Sequence, residues 1–563
     1  MKRTLVLISL AVLFLIPGYT LLGQDNDKNG EKLPSEEQKF YSAGFSLAAF
    51  SVSYPNLSDL AERVLAYTPV LDMKPDDSIY DPLRLMPGKK INWAYLQLGS
   101  VLGYHHARYW IRNGFVEDWQ YQLTWSDQKK RLLGFGAWRF DSNAFQTNWT
   151  HAFAGSAYYN FARANNLSVL SSFLLTLGES MYWEYIVEWR EVISINDHIF
   201  TSIGGASVGE TLFQLGSYLN SRPGLLGKIM GFLNPIIKFN KWLDGSTVAG
   251  SENTSVAPGR HKFQLSAGRR DSLISGGTGR PALMAAAFQA DIIKIPEYGK
   301  TGQESRPYLD PIASELDFSF ATGKRGVEDF NLFMRTVLLG YYKQNVDDQA
   351  KGFGYYVGLG SAFSLFKKRA VVSYDGLGVS VGQGADLNLD EPRQFTDKYS
   401  LVHIAGPVLD FTSFSQAFTW RLVLEAYPDF GLINSLALNK YSGIYGLSGA
   451  KTTLLYYGYY YGFGTTLAST LKIDSGLFNV DASVRYQTHG SIEGRDRFQA
   501  DLADDFHLRD SRLGYIFRLG YRIRGTPVAL LASFEEIDRR GSIREVFQKE
   551  TENRLFFGMN LIF

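Results

Sequence analysis

RLGYIFRLGYRIR, residues 512–524, sorts its side chains onto two faces. Arg512, Gly514, Ile516, Arg518, Gly520, Arg522 and Arg524 take the even positions, and Leu513, Tyr515, Phe517, Leu519, Tyr521 and Ile523 take the odd ones. A period of two marks a β-strand with one wet and one apolar face. Residues 478–488 repeat it, with Asn479, Asp481, Ser483, Arg485 and Gln487 against Phe478, Val480, Ala482, Val484 and Tyr486. In 417–425, Phe418, Trp420, Leu422 and Leu424 oppose Ala417, Thr419, Arg421, Val423 and Glu425.

Any antiparallel sheet with one solvated face shows such alternation. Three features point beyond it. The strands reach about 10 residues or more, the length that tilted membrane strands need. Their apolar face is rich in aromatics, which suit membrane interfaces. Finally, no second set of elements is left to cover so much apolar surface, whereas lipid can. Strands are expected near 260–270, 281–293, 312–322, 328–343, 352–366, 398–411, 415–427, 454–472, 476–489, 511–524, 526–538 and 553–563. That predicts about twelve, an even number as in single-chain bacterial barrels. Residues 367–397 and 428–453 are hard to read in these terms.

The chain stops at RLFFGMNLIF, 554–563, with Leu555, Phe557, Met559, Leu561 and Phe563 on alternate positions. A closing strand of this kind resembles the C-terminal signal of outer-membrane barrels, and Phe563 carries the resemblance. It implies the barrel-insertion machinery as a partner. An even strand number then puts the start of the first strand in the periplasm with the C-terminus, and with it the helical half.

Composition agrees with an envelope protein. The balance of 57 Lys+Arg against 56 Asp+Glu offers no basic field, so nucleic acid is excluded as a natural partner. Aromatics make up 15% of the chain. MKRTLVLISLAVLFLIPGYTLLG, residues 1–23, has Lys2 and Arg3 before an apolar stretch and reads as a secretory signal peptide. Beyond it, no run of 18 uninterrupted apolar residues follows. Zero cysteines remove disulfides, thiolate metal sites and a lipoprotein anchor together.

Before residue 250 the period is helical, as in Ala154, Ala157, Tyr158 and Phe161, then Phe173, Leu174, Leu177, Met181 and Tyr185. TVAGSENTSVAPGR, 247–260, is small and polar and reads as a linker. The division is therefore a signal peptide at 1–23, a poorly structured or helical segment at 24–85, a helical domain at 86–246, a linker at 247–259 and a barrel at 260–563. The expected fold class is α+β in two parts: a mainly α-helical domain in the periplasm, then an antiparallel transmembrane β-barrel of about 12 strands in the outer membrane.

Three segments stand out in the helical half: NWTHAFAGSAYYNFARANN (148–166), GESMYWEYIVEWRE (178–191) and SINDHIFTSIGGASVGE (194–210). Together they resemble an uncharacterised bacterial envelope family, domain of unknown function 3943, over roughly residues 90 to 220. The resemblance implies location and architecture and no activity. Read physically, Asp197, Thr201, Gly205 and Gly209 are spaced by four, so a helix starting near Asn196–Asp197 shows one small stripe for close helix packing, with Asp197 as its cap.

His151, Glu184, Glu188 and Asp197 are the candidates for a polar working site in that half, with Glu184 and Glu188 an i, i+4 pair. The bland alternative is a structural network in which Arg163 or Arg190 neutralises a buried Glu. In the barrel, THGSIEGR (488–495) resembles the His-x-Ser segment of outer-membrane phospholipase A, which would make His489 base and Ser491 nucleophile. Ile492–Glu493 replaces the expected Asn-Gly, and strand parity turns both residues to the lumen. Arg421, Arg485, Arg518, Arg522, Glu425 and Asp481 are expected to pair across that lumen and fill it. No metal or cofactor is expected. Two functions follow: a narrow transporter or envelope-organising protein in contact with outer-membrane lipids, its substrate unspecified, or a lipid-modifying hydrolase.

Overall fold

Strand β1 (Arg260–Ile274) pairs antiparallel with β2 (Gly279–Ile293), and every later strand pairs with the one before it. The computed structural model describes residues 90–562 apart from 115–118, 141–143, 222–233, 245–258, 275–278, 325, 369–396 and 496–503. The expected signal peptide, the 24–85 segment, nearly all of the linker and Phe563 lie outside the described residues. The third strand comes in two pieces, Gly302–Tyr308 and Ala313–Gly323, both set in line against β4 (Gly326–Val346). We treat them as one interrupted β3; Pro311 has no N–H for a ladder and falls in the break.

The meander continues through β5 (Gly352–Lys368), β6 (Lys398–Phe414), β7 (Thr419–Asn434), β8 (Tyr459–Asp474), β9 (Phe478–Ser491), β10 (Leu508–Arg522), β11 (Val528–Ile543) and β12 (Val546–Ile562). β12 pairs back onto β1, Ile562 opposite Gln264, so twelve antiparallel strands close a ring, and among the described strands the Gly302–Tyr308 piece of β3 keeps one unpaired side. At the near rim, where β1 begins, the connections 347–351, 415–418, 475–477 and 523–527 are short. The far rim carries the long ones, 369–397, 435–458 and 492–507.

Several expected boundaries move. β7 runs to Asn434 rather than stopping at 427, and β8 starts at Tyr459 rather than 454 because Thr452–Tyr457 is helical. β12 starts at Val546, seven residues before the expected 553, and the polar first piece of β3 was not expected at all. The missed start of β12 and the first piece of β3 are mostly polar on both faces, whereas the missed end of β7, Pro428–Asn434, contains a Pro and a Gly that read as a strand end.

The described N-terminal part is helical: α1 (Ile91–Asn113), α2 (Trp125–Leu133), α3 (Phe145–Ala164) and α4 (Val169–Tyr182), which widens into a π-turn at Trp183–Val187. α5 (Ile195–Ile199) passes through a second π-turn, Phe200–Gly204, into α6 (Gly205–Ser221), and α7 (Pro235–Asp244) follows. The Ser194 hydroxyl, not Asp197, caps α5 by accepting from the Asp197 N–H at 3.3 Å. Ser194 lies one turn earlier and holds the extended backbone that an N-cap needs.

This bundle neither plugs the lumen nor sits beyond one rim; it lies along the outer wall. Its main contact follows a line of register partners across the sheet: Phe263 opposite Ala290, Ala290 opposite Leu316, then Met334, Phe363, Val402 and Phe430 in turn. All seven point outward, and all are buried in one cluster with Phe200, Val208, Leu215 and Leu219 of the bundle. The α5–α6 segment thus runs across the strands rather than along them. Near one rim, Tyr218 stacks on Phe263 with ring centroids 5.4 Å apart. Toward the other, Arg139 and Phe140 bond the carbonyls of Gly494 and Arg495 in the β9–β10 loop.

Candidate functional site

Small residues bring α3 and α6 together. A Cβ on Gly155 would stand 1.8 Å from the Thr201 carbonyl oxygen, and one on Gly205 would stand 2.7 Å from the Gly155 backbone. A Cβ on Gly209 would meet the Tyr159 ring at 2.8 Å. The stripe Thr201, Gly205, Gly209 therefore faces α3, and the backbones meet where only glycine fits.

That approach buries two polar groups of residues. In the first, Arg163 grips Glu210 with Nε at 2.8 Å from Oε2 and Nη2 at 3.2 Å from Oε1, while Tyr159 donates to the same carboxylate at 2.8 Å. Glu210 is fully buried, so this bidentate pair with its added donor is the neutralising network anticipated for Arg163. Arg190 instead lies over the rings of Trp119 and Trp189 near the surface.

The second group gathers two of the four helical candidates. His151 Nε2 is 3.5 Å from Asp197 Oδ1, and its Nδ1 is 3.5 Å from the Thr201 hydroxyl, with the imidazole a quarter exposed. Asn196 donates to Asp197 Oδ1 at 2.9 Å and to Asn148 Oδ1 at 2.7 Å, and Tyr461 of β8 donates to Asn148 at 3.1 Å. The second π-turn, Phe200–Gly204, carries Thr201 into this group, and such widened turns recur at working sites. Glu184 and Glu188 do not join the His–Asp pair. Glu184 Oε2 accepts from the Ser194 N–H at 2.8 Å, and Glu188 accepts from Trp183 Nε1 at 2.8 Å. The π-turn between them undoes the i, i+4 face that a regular helix would have shared. Among the described residues, no group of three or more His, Asp or Glu side chains could hold a metal ion. The contribution of Tyr461 was unreadable from sequence, since it lies more than 300 positions from Asn148.

In the lumen, Arg421 pairs with Asp291 and, at 2.6 Å, with Asp410; Arg335 pairs with Glu425 and, at 2.6 Å, with Glu315. Arg518 reaches Asp317 at 3.4 Å, Arg522 reaches Asp474 at 3.8 Å, and Arg485 lies 4.3 Å over the Phe333 ring. Asp481 and Arg485 line a lumen cavity of about 220 Å³. Below it the 294–301 turn carries Tyr298 into the near end, where its hydroxyl meets that of Thr412 at 2.5 Å. At the far end, α8 (Leu438–Tyr445) and α9 (Thr452–Tyr457) cover Leu401, Ile433 and Tyr460.

His489 and Ser491 serve different partners. His489 Nε2 lies 3.2 Å from Asp429, whereas the Ser491 hydroxyl accepts from the Leu508 N–H at 2.9 Å and donates to Glu493. A constellation missed in the sequence sits beside His489: Ser364 Oγ is 2.7 Å from His403 Nε2, and His403 Nδ1 is 2.6 Å from Asp429. The bond order is that of a Ser–His–Asp triad. All three side chains are nevertheless buried, none lines the lumen cavity, and Asp429 also serves His489 and Thr466. The arrangement ties β5, β6, β7 and β9 together.

Residues 137–236 match the family model described as a domain of unknown function, DUF3943. No curated protein matches the chain. Among solved structures it is similar to a loop-deletion mutant of OmpT, an outer membrane protein of Vibrio cholerae, at 8% identity over 54% of this chain and 99% of that one, TM-score 0.20. It is likewise similar to the translocator domain of autotransporter NalP from Neisseria meningitidis, at 11% identity over 55% of this chain and 91% of that one, TM-score 0.19. A mutant of the TodX monoaromatic hydrocarbon channel is similar at 10% identity over 54% of this chain and 90% of that one, TM-score 0.20. The bundle segment that builds the His151–Asp197 and Arg163–Glu210 groups thus matches the DUF3943 model, on a chain whose second half is a closed twelve-stranded antiparallel barrel.

Proposed function

We propose that this protein resides in the outer membrane as a sealed barrel with an envelope-organising role, displaying its helical domain on the barrel wall rather than conducting solutes. One observation carries the reading: the lumen is filled at three levels, by Tyr298 at the near end, by the Arg335–Glu425 and Arg421–Asp291 ion pairs between distant strands in the middle, and by α8 and α9 at the far end. Residence in a bilayer is supported by the outward row of β12, where Phe557 and Met559 are about three-fifths exposed. Purified protein in a planar lipid bilayer is expected to carry no steady current. Stable unitary steps from the intact chain would return the narrow-transporter reading to first place.

A lipid hydrolase is the second reading, favoured by the quarter-exposed His151 beside Asp197, a base with a carboxylate to orient it. Cells carrying His151→Ala or Asp197→Asn should then show altered membrane lipid profiles. Profiles identical to wild type would remove that reading.

A further inference from the structure

We infer that the helical bundle is seated in the bilayer beside the barrel, its outer face in contact with acyl chains rather than with periplasmic water. The inference rests on the outer-membrane reading of the barrel and goes beyond it. The wall that the bundle covers is the same outward face whose neighbouring positions, such as Leu265 and Leu467, stand about half exposed. A belt that must lie against lipid on the strands around it is interrupted only where the bundle lies.

The bundle reaches from one rim toward the other, from the Tyr218–Phe263 stack to the bonds between Arg139, Phe140 and the β9–β10 loop. α1, with 23 residues, measures about 34 Å at a rise of about 1.5 Å per residue, close to the roughly 30 Å of a hydrocarbon core. Over residues 91–111 and 145–187, no described residue that is exposed carries a charge. Tyr95, Leu96 and Tyr104 of α1 and Leu174, Met181 and Ile186 of the α4 segment are 46 to 57% exposed. A water-facing helix would put Lys or Glu at such positions.

Charge returns at one end. Lys129 and Lys130 are exposed on the amphipathic α2, whose Gln128 donates to the Trp189 carbonyl at 3.1 Å, and Trp189 and Trp119 pack on Trp110 with ring centroids 5.7 and 5.8 Å apart. Lysines and indoles together suit the headgroup zone. No described helix is long and apolar enough to cross a membrane by itself. Arg163, Glu184 and Glu210 turn inward and find partners there, as ionisable groups in a membrane must, while Arg108 and Glu179 are half-buried. The barrel wall and the neighbouring helices supply the face that a lone helix would lack.

The chain contains no cysteine, so single thiols can be introduced without background. The full chain carrying Leu96→Cys or Leu174→Cys is spin-labelled and reconstituted in phosphatidylcholine vesicles, with Leu467→Cys on the bare barrel wall and Asp348→Cys in a near-rim turn as references. Collision with dissolved oxygen and with a water-soluble nickel chelate is read by power saturation. Labels at positions 96 and 174 are expected to match position 467, colliding several-fold more with oxygen than with nickel, the reverse of position 348. If they match position 348 while 467 stays lipid-like, the domain is aqueous and the inference falls. Shielding from both reagents would mean a protein cover, another subunit or a second copy, and would overturn it equally. A nickel-accessible label at position 467 would instead bring down the barrel reading, and this inference with it.

Discussion

Two stretches of the same outer wall have opposite fates. Along β12, Leu555, Phe557, Met559 and Leu561 are between 39% and 62% exposed. Across β1, β5 and β7, Phe263, Phe363 and Phe430 point outward by the same alternation and are 1% exposed or less. The strands do not differ in pattern. What differs is the cover, folded chain in one place and, on our reading, lipid in the other. Alternation therefore identifies the apolar face of a strand and is silent about what that face meets.

The sharpest way to break the comparison is to lift the bundle off. Gly155→Ala puts a Cβ against the Thr201 carbonyl with no flexible atom to yield, and should destabilise the bundle by about 5 kcal/mol. The expected readout is protease cleavage within residues 145–221, while the barrel keeps its heat-modifiable mobility in detergent gels. Loss of the barrel band as well would show that the covered wall cannot stand bare. Next in size is Arg163→Met, which leaves Glu210 buried without its cation and should cost about 4 kcal/mol in urea unfolding. Adding Glu210→Gln should recover much of that loss; no recovery would mean that packing, not charge, dominates there.

A matched pair of substitutions, expected to differ by about 2 kcal/mol, sharpens the comparison directly. Phe363→Ala leaves a cavity between folded surfaces and should cost about 4 kcal/mol. Phe557→Ala removes the same ring from a face where lipid can flow in, and should lose only the transfer part, about 2 kcal/mol. Equal costs in liposome unfolding would say that the two walls are covered alike.

Much of the barrel was legible because its physics is local. In 512–524 and 478–488 each side chain's face follows from position alone, and the strand number follows from repeating that rule. The glycine stripe was equally plain as a spacing, and it does face a neighbouring helix. Its partner was not, since nothing near Gly205 in the chain points to Gly155. His151 and Asp197 were singled out together and do meet, whereas Glu184 and Glu188 were grouped with them on a helical period that the π-turn breaks. The Ser364–His403–Asp429 chain went unseen because its members sit on three strands and only register brings them side by side.

By itself, the amino-acid order determined a chain of two characters and the face each strand turns outward, because period-two and helical spacing are properties of neighbours. Only the tertiary structure decided that seven outward residues on seven strands form one line, and that a helical segment lies along it. Such a line exists only once hydrogen-bond register has placed the strands side by side, and register belongs to pairs of strands, not to either strand alone.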